Sequence, residues 1–204
     1  MKNIKFMILI AMLISIQIVL TLTPFGFVMI GPTRLTTLHI PTILAGTLLG
    51  VKAGAITGLS FGILSVIMNT VNPTLTSFVF SPFTPSVDGY QGNIGSLFIA
   101  LVPRILLGVF AALIFEYVKK LNMKFLASTV AAVLATVIHT IMVLGLIYLI
   151  FSQDYASALG MSPSAVLTFL AGIIATNGVF EALLAGFLIT ALHKALDPVV
   201  DKMT

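Results

Sequence analysis

The chain has no cysteine and no tryptophan, and only 8% of its residues carry charge. The missing cysteines exclude disulfide frameworks, thiolate nucleophiles and cysteine metal sites together. The scarcity of charge excludes more. A water-facing surface on 204 residues needs far more than the ten basic and six acidic side chains present. Enzyme templates are missing as well: the chain carries no HExxH, no GxSxG and no paired-carboxylate motif. The histidines, His39, His139 and His193, are too scattered to hold a metal, so neither a metal nor a cofactor is expected. There is no GxxxxGK[ST] loop, so the chain does not hydrolyse ATP by itself. Two similar halves with broken helices, the mark of many secondary transporters, are also absent. What remains is a non-enzymatic membrane protein that draws any energy it needs from a partner.

What is present is apolar. Hydrophobic residues make up 59% of the chain, and the mean hydropathy is +1.18. Repeated apolar runs long enough to cross a bilayer predict an all-α integral membrane protein. We expect a six-transmembrane-helix bundle forming one membrane domain over residues 1–204. The net charge of +4 is a topology signal and does not imply nucleic acid. At the N-terminus Lys2 and Lys5 precede an apolar run from Phe6 to Leu22. Thr23-Pro24-Phe25-Gly26 is a poor cleavage site and the run is long for a signal peptide, which predicts a retained first helix.

The expected helices cover residues 4–22, 38–51, 53–71, 94–118, 125–150 and 163–196. Pro24 and Gly26 stop the first. Within it Ala11 and Ser15 form a small-x-x-x-small pair, read from spacing alone as internal packing. Residues 31–41 read as a polar connector. The second helix is short for a span, about 20 Å at 1.5 Å per residue, so it is tilted, incomplete or buried among neighbours. A turn at Lys52 leads into the third. Gly46, Gly50, Gly54, Gly58 and Gly62 recur every fourth residue as a close-packing seam. Residues 72–93 leave the membrane as an outer loop carrying three prolines with Phe78, Phe80, Phe83 and Tyr90. Loops of this length tend to be lids or binding loops, and these aromatics should pack down on the bundle. Ser162-Pro163 starts the sixth helix, and Pro198 ends it.

Placing both termini in the cytoplasm puts Lys2, Lys5, Lys52, Lys119, Lys120, Lys124, Lys194 and Lys202 inside. The two exceptions are Arg34 and Arg104. Arg104 lies in the apolar run Ile94–Val118, and a guanidinium stays charged at any accessible pH. In hydrocarbon it costs about 2.5–3.5 kcal/mol even on the lenient insertion scale, so it faces a wet cavity, an internal partner or an anionic ligand. It sits roughly 15 Å deep from the outer face. His139, Asn177 and Glu181 lie on the later helices. Asn177 and Glu181 are four apart and share a face. Glu181 is the internal alternative as Arg104's partner, although roughly 20–27 Å of depth argues mildly against contact. Glu116 reads as a surface residue beside Lys119 and Lys120.

The whole pattern resembles the substrate-binding S components of energy-coupling factor (ECF) vitamin transporters. The resemblance rests on six helices, inside termini, a small-residue motif on the first helix and a long outer loop after the third. It implies a plasma-membrane protein that docks, through Ala11 and Ser15, on a transmembrane coupling subunit driven by two ATPase subunits. The family's second position is usually alanine; here it is serine, still small. His39-Ile40-Pro41, Asn72 to Phe78, Phe80-Ser81-Pro82-Phe83, Pro103-Arg104 and Asn177 to Glu181 look like the pantothenate branch. In that case Arg104 takes the carboxylate. Asn177, His139 and Tyr90 serve the amide and hydroxyls, with Glu181, Phe80 and His39 as further contacts. Nicotinate would also suit the arginine, whereas pyridoxine or hydroxymethylpyrimidine would lean on Glu181 and Asn177. A non-transporting membrane scaffold would leave Arg104 paired internally.

Overall fold

A computed structural model of the chain describes the backbone of residues 2–30, 33–86 and 89–203. The side chains of residues 2–3, 28–30, 33–35, 124–125 and 197–203 lie outside that description, and with them those of Lys2, Arg34, Lys124 and Lys202. Five helical stretches are long and apolar enough to cross a membrane, and a sixth, His39–Leu49, is shorter. The expected six-helix architecture holds in outline, with several corrections.

Helix α1 spans Lys2–Thr21. Ala11 and Ser15 are exposed on it, and the Ser15 hydroxyl donates back to the Ala11 carbonyl at 2.8 Å. The pair therefore does not serve packing inside this chain. The opposite side carries Gln17, fully buried, whose amide donates to Thr42 Oγ1 at 2.9 Å and to the Thr57 carbonyl at 3.2 Å. One polar side chain thus ties α1 to the next two helices.

The connector is more than a loop. Strands β1 (Phe27–Ile30) and β2 (Thr33–Thr36) pair antiparallel, Phe27 opposite Thr36. The reason is compositional: Phe-Val-Met-Ile and Thr-Arg-Leu-Thr are rich in β-branched and aromatic residues. Helix α2 (His39–Leu49) follows, and every residue from His39 to Thr47 is buried. Burial among neighbours, not tilt alone, explains why so short a helix stands in a membrane bundle.

The turn into α3 (Val51–Val71) falls at Gly50, not Lys52. Gly50 has φ +87°, a conformation that costs glycine little and other residues more. It therefore leaves the seam, and nothing lies within 4 Å of a Cβ built on it. The other four seam glycines pack as expected against helix α4 (Ile94–Lys120). A Cβ on Gly54 would strike the backbone of Gly108, and one on Gly58 the carbonyl of Arg104. This near-contact of backbones is what absent side chains permit.

Between α3 and α4 the chain makes a 3-10 turn at Ser77–Val79 and is hydrogen-bonded down onto the bundle. Ser77 Oγ donates to Asn69 Oδ1 at 2.8 Å, and Ser96 Oγ to the Phe78 carbonyl at 2.6 Å. Asn93 caps α4 in a reciprocal box with Ser96. Phe78 and Val79 are buried, Tyr90 stacks on Phe78, and Phe83 remains exposed.

Helix α5 runs Lys124–Ala158, eight residues beyond the expected end at 150. A kink at Phe151 (φ −126°, ψ 17°) turns the supposed polar loop into a helical extension carrying Tyr155. The buried Phe151 ring meets Phe78 edge-on at 5.6 Å, which anchors the bend. The last stretch is broken where continuity was expected: α6 (Pro163–Ile173), a π-helical turn at Ile174–Gly178, then α7 (Val179–Met203). Pro198 does not end it. A proline is tolerated when neighbouring groups or water satisfy the freed carbonyl, and here the helix continues to Met203.

Two large apolar cores stand beside two smaller clusters. One joins α2, α3, α4, α5 and α7 through Ile43, Phe61, Leu107, Ala135 and Ile189. The other gathers Phe78, Ile99, Val143, Ile147, Phe151 and Tyr155 under the 72–93 segment.

Candidate functional site

Where the two cores meet, packing is incomplete and a cavity opens. Phe61 lines it from the first core, and Val143, Leu144, Ile147 and Tyr155 from the second. Its polar lining includes Arg104, His139, Thr140, Asn177 and Glu181, with Thr36 from the hairpin and Asn69 from α3. Phe80 from the 72–93 segment also lines it. These residues come from widely separated elements, so only the assembled bundle makes the site.

Arg104 is 5% exposed. Its Cζ lies 5.1 Å from the centre of the Phe80 ring and 5.6 Å from that of Phe61, so two aromatic rings flank the guanidinium. Such contacts contribute about 0.5–2 kcal/mol each. Nη1 donates to the Ile99 carbonyl, while Nε has no partner. Among the described residues no carboxylate makes direct ion-pair contact with Arg104, although Glu181 lines the same cavity and its charge acts on the guanidinium. Buried polar groups are normally satisfied, so an unpaired guanidinium nitrogen beside a cavity points to something that enters it.

His139 is buried with its ring 6.1 Å from Phe61, and its Nε2 lacks a partner. Thr140 Oγ1, one residue along, is also buried and unbonded. Both residues sit on the lining. Glu181 is held differently: its Oε1 accepts from the Thr36 amide at 3.0 Å, tying α7 to strand β2. Asn177 lies in the π-helical turn and Glu181 in the first turn of α7. A π-turn inserts an extra residue and shifts the register of the helix beyond it; such bulges recur at functional sites. Glu181 is not too deep to meet Arg104, as a straight helix would have it: both line the same cavity.

Five of the seven expected ligand contacts are therefore brought together: Arg104, His139, Asn177, Glu181 and Phe80. Two are not on the lining. His39 is buried, and its Nδ1 donates to the Thr36 carbonyl at 2.6 Å, because a carbonyl can only accept. It braces the hairpin end at Thr36, which itself faces the cavity. Tyr90 stacks its ring on Phe78 at 5.5 Å. Tyr155, Asn69 and Phe61 were missed. Tyr155 lay in what read as a loop, and nothing local marked it. Asn69, a lone amide within an apolar α3, was a legible signal.

Comparison with known proteins agrees with this architecture. The family model for "ECF transporter, substrate-specific component" matches residues 5–193. The chain is 35% identical over 180 residues to a protein of Lactococcus lactis subsp. cremoris (strain MG1363) named "Pantothenic acid transporter PanT"; the alignment covers 88% of this chain and 83% of that one. It is 27% identical over 187 residues to "Pantothenate transporter PanT" of Leuconostoc mesenteroides subsp. mesenteroides, covering 88% of this chain and 82% of the relative.

Proposed function

Because the chain belongs to the family of ECF transporter substrate-specific components, we propose that the ligand it selects is pantothenate. It is a multi-pass protein of the cell membrane. Pantothenate has one carboxylate, an amide, two hydroxyls and a gem-dimethyl centre. The cavity offers a matching inventory. Arg104 receives the carboxylate. His139, Asn177 and Tyr155 serve the amide and hydroxyls, and Glu181 accepts from a hydroxyl with the oxygen left over from Thr36. Phe61, Phe80 and Val143 face the apolar centre. The observation that carries this reading is the cavity-lining Arg104, buried with Nε unbonded and no carboxylate in direct contact among the described residues.

The chain works as one membrane domain with both termini in the cytoplasm, the orientation its lysines favour. The exposed Ala11 and Ser15 on α1 dock against a transmembrane coupling subunit, and two ATPase subunits supply the energy. Calorimetry with purified protein tests the ligand. Pantothenate is expected to bind, and nicotinate, pyridoxine and hydroxymethylpyrimidine are expected not to compete. Binding of one of those three with no response to pantothenate would overturn the reading. No binding of any of them would favour a scaffold role.

A further inference from the structure

The way Arg104 is held depends on its neighbour. Pro103 has no N–H, so the Ile99 carbonyl, four residues earlier, loses the donor that an α-helix would supply. Arg104 Nη1 fills that place. The side chain reaches back toward the helix N-terminus, the direction in which helical side chains lean. With Nη1 engaged, Nε has no partner, and no bond from Nη2 forms among the described residues. The backbone is braced too. A Cβ on Gly58 would meet the Arg104 carbonyl and one on Gly62 the Ala100 carbonyl, so α3 blocks sliding of this stretch.

We propose that Pro103 is a positioning residue for ligand capture: by leaving the Ile99 carbonyl free to hold Nη1, it presents the Nε–Nη2 edge of Arg104 as a two-point receptor for a carboxylate. That edge carries two parallel N–H donors at the spacing of carboxylate oxygens. Of the two edges, the Nε–Nη2 edge is the one on which neither nitrogen is engaged, because Nη1 already donates to the Ile99 carbonyl. The inference rests on the reading of Arg104 as the carboxylate anchor. It adds that an otherwise helix-breaking residue selects which edge is used.

The chain has only two arginines, Arg34 and Arg104, which makes guanidinium nitrogen NMR tractable on the full-length purified protein. An Arg34→Lys variant assigns the signals. In ligand-free protein Arg104 should show separate Nη1 and Nη2 resonances, because one is anchored; Pro103→Ala, which restores a helical donor to Ile99, should average them. Separate resonances that persist in Pro103→Ala would overturn the proposal. The second readout is affinity for pantothenate against its alcohol analogue, in which CH2OH replaces the carboxylate. Pro103→Ala should lower the ratio of the two affinities roughly tenfold, the scale of one charge-assisted hydrogen bond, with the alcohol unaffected. An equal loss for both ligands would reduce Pro103 to a structural role and overturn the proposal, as would an unchanged ratio. Pro103→Leu, which also regains the N–H, repeats both readouts should the alanine variant fold poorly. If the wild-type protein binds neither compound, the pantothenate reading fails, while the ligand-free spectra still decide the Pro103 geometry.

Discussion

Replacing Arg104 with methionine should weaken ligand binding and strengthen the ligand-free fold. The two effects have one cause. Burying a guanidinium costs several kcal/mol, which an internal ion pair can offset only with good geometry. Arg104 has no such pair in direct contact among the described residues: one hydrogen bond to the Ile99 carbonyl, two ring contacts and the charge of Glu181 across the cavity are what hold it. The first contributes about 1.5–3 kcal/mol and each ring about 0.5–2. Nε gains nothing until a ligand arrives. Methionine keeps the apolar stem between Phe61 and Phe80, removes the charge, and leaves the Ile99 carbonyl without its donor and Glu181 without the neighbouring positive charge. The Arg104→Met variant should therefore melt at an equal or higher temperature. Its affinity for pantothenate should fall by more than about 2 kcal/mol, roughly thirtyfold. Calorimetry and a thermal melt on the same preparation measure both. Unchanged affinity in a folded variant would refute the anchoring role. A melting temperature lowered by the equivalent of about 3–5 kcal/mol would instead mark Arg104 as one half of a structural pair.

The same geometry supports further expectations. Glu181→Ala removes the acceptor of the Thr36 amide and should cost about 1–2 kcal/mol in a thermal melt, whereas Glu181→Gln, which keeps an oxygen there, should cost less. A result in which both variants melt alike would show that the bond contributes little. Gly108→Ala places a Cβ on the backbone of Gly54, while nothing lies within 4 Å of one at Gly145. The first should lose monodisperse protein on size-exclusion chromatography and Gly145→Ala should not. Ala11→Leu or Ser15→Leu, both on the exposed face of α1, should abolish uptake by whole cells while ligand binding to the purified chain persists. Uptake that survives both changes would rule out that face as the docking surface.

Much of this protein was legible without coordinates because a bilayer leaves few options. Spans must be helical and apolar, so composition alone determined the class, and the helix boundaries came out close where glycine, proline or asparagine marked them. The capped start of α4 and the Ser162-Pro163 start of α6 are examples. The glycine seam was legible for the same reason, since its spacing matches a helix face. Arg104 stood out because a charge in an apolar run is costly. The errors arose where local rules were overridden by contacts. Buried neighbours carried α5 through Phe151 to Tyr155, and Pro198 failed to stop α7.

What tertiary structure alone decided is which polar groups meet. Asn177 and Glu181 share a helical face by arithmetic, yet that they meet Arg104 on one cavity, with Asn177 inside a π-turn, no spacing rule foretold. His39 and Tyr90 have the right chemistry for a ligand, but packing leaves both off the cavity lining. The sequence by itself determined that one buried cation must be answered. Only the packing of distant elements around the gap between two cores decided that Glu181 shares a cavity with it without forming a direct ion pair among the described residues. The physical reason is range: hydrophobicity and helix geometry act within a span and are written locally, whereas a binding site is built from groups far apart in the chain.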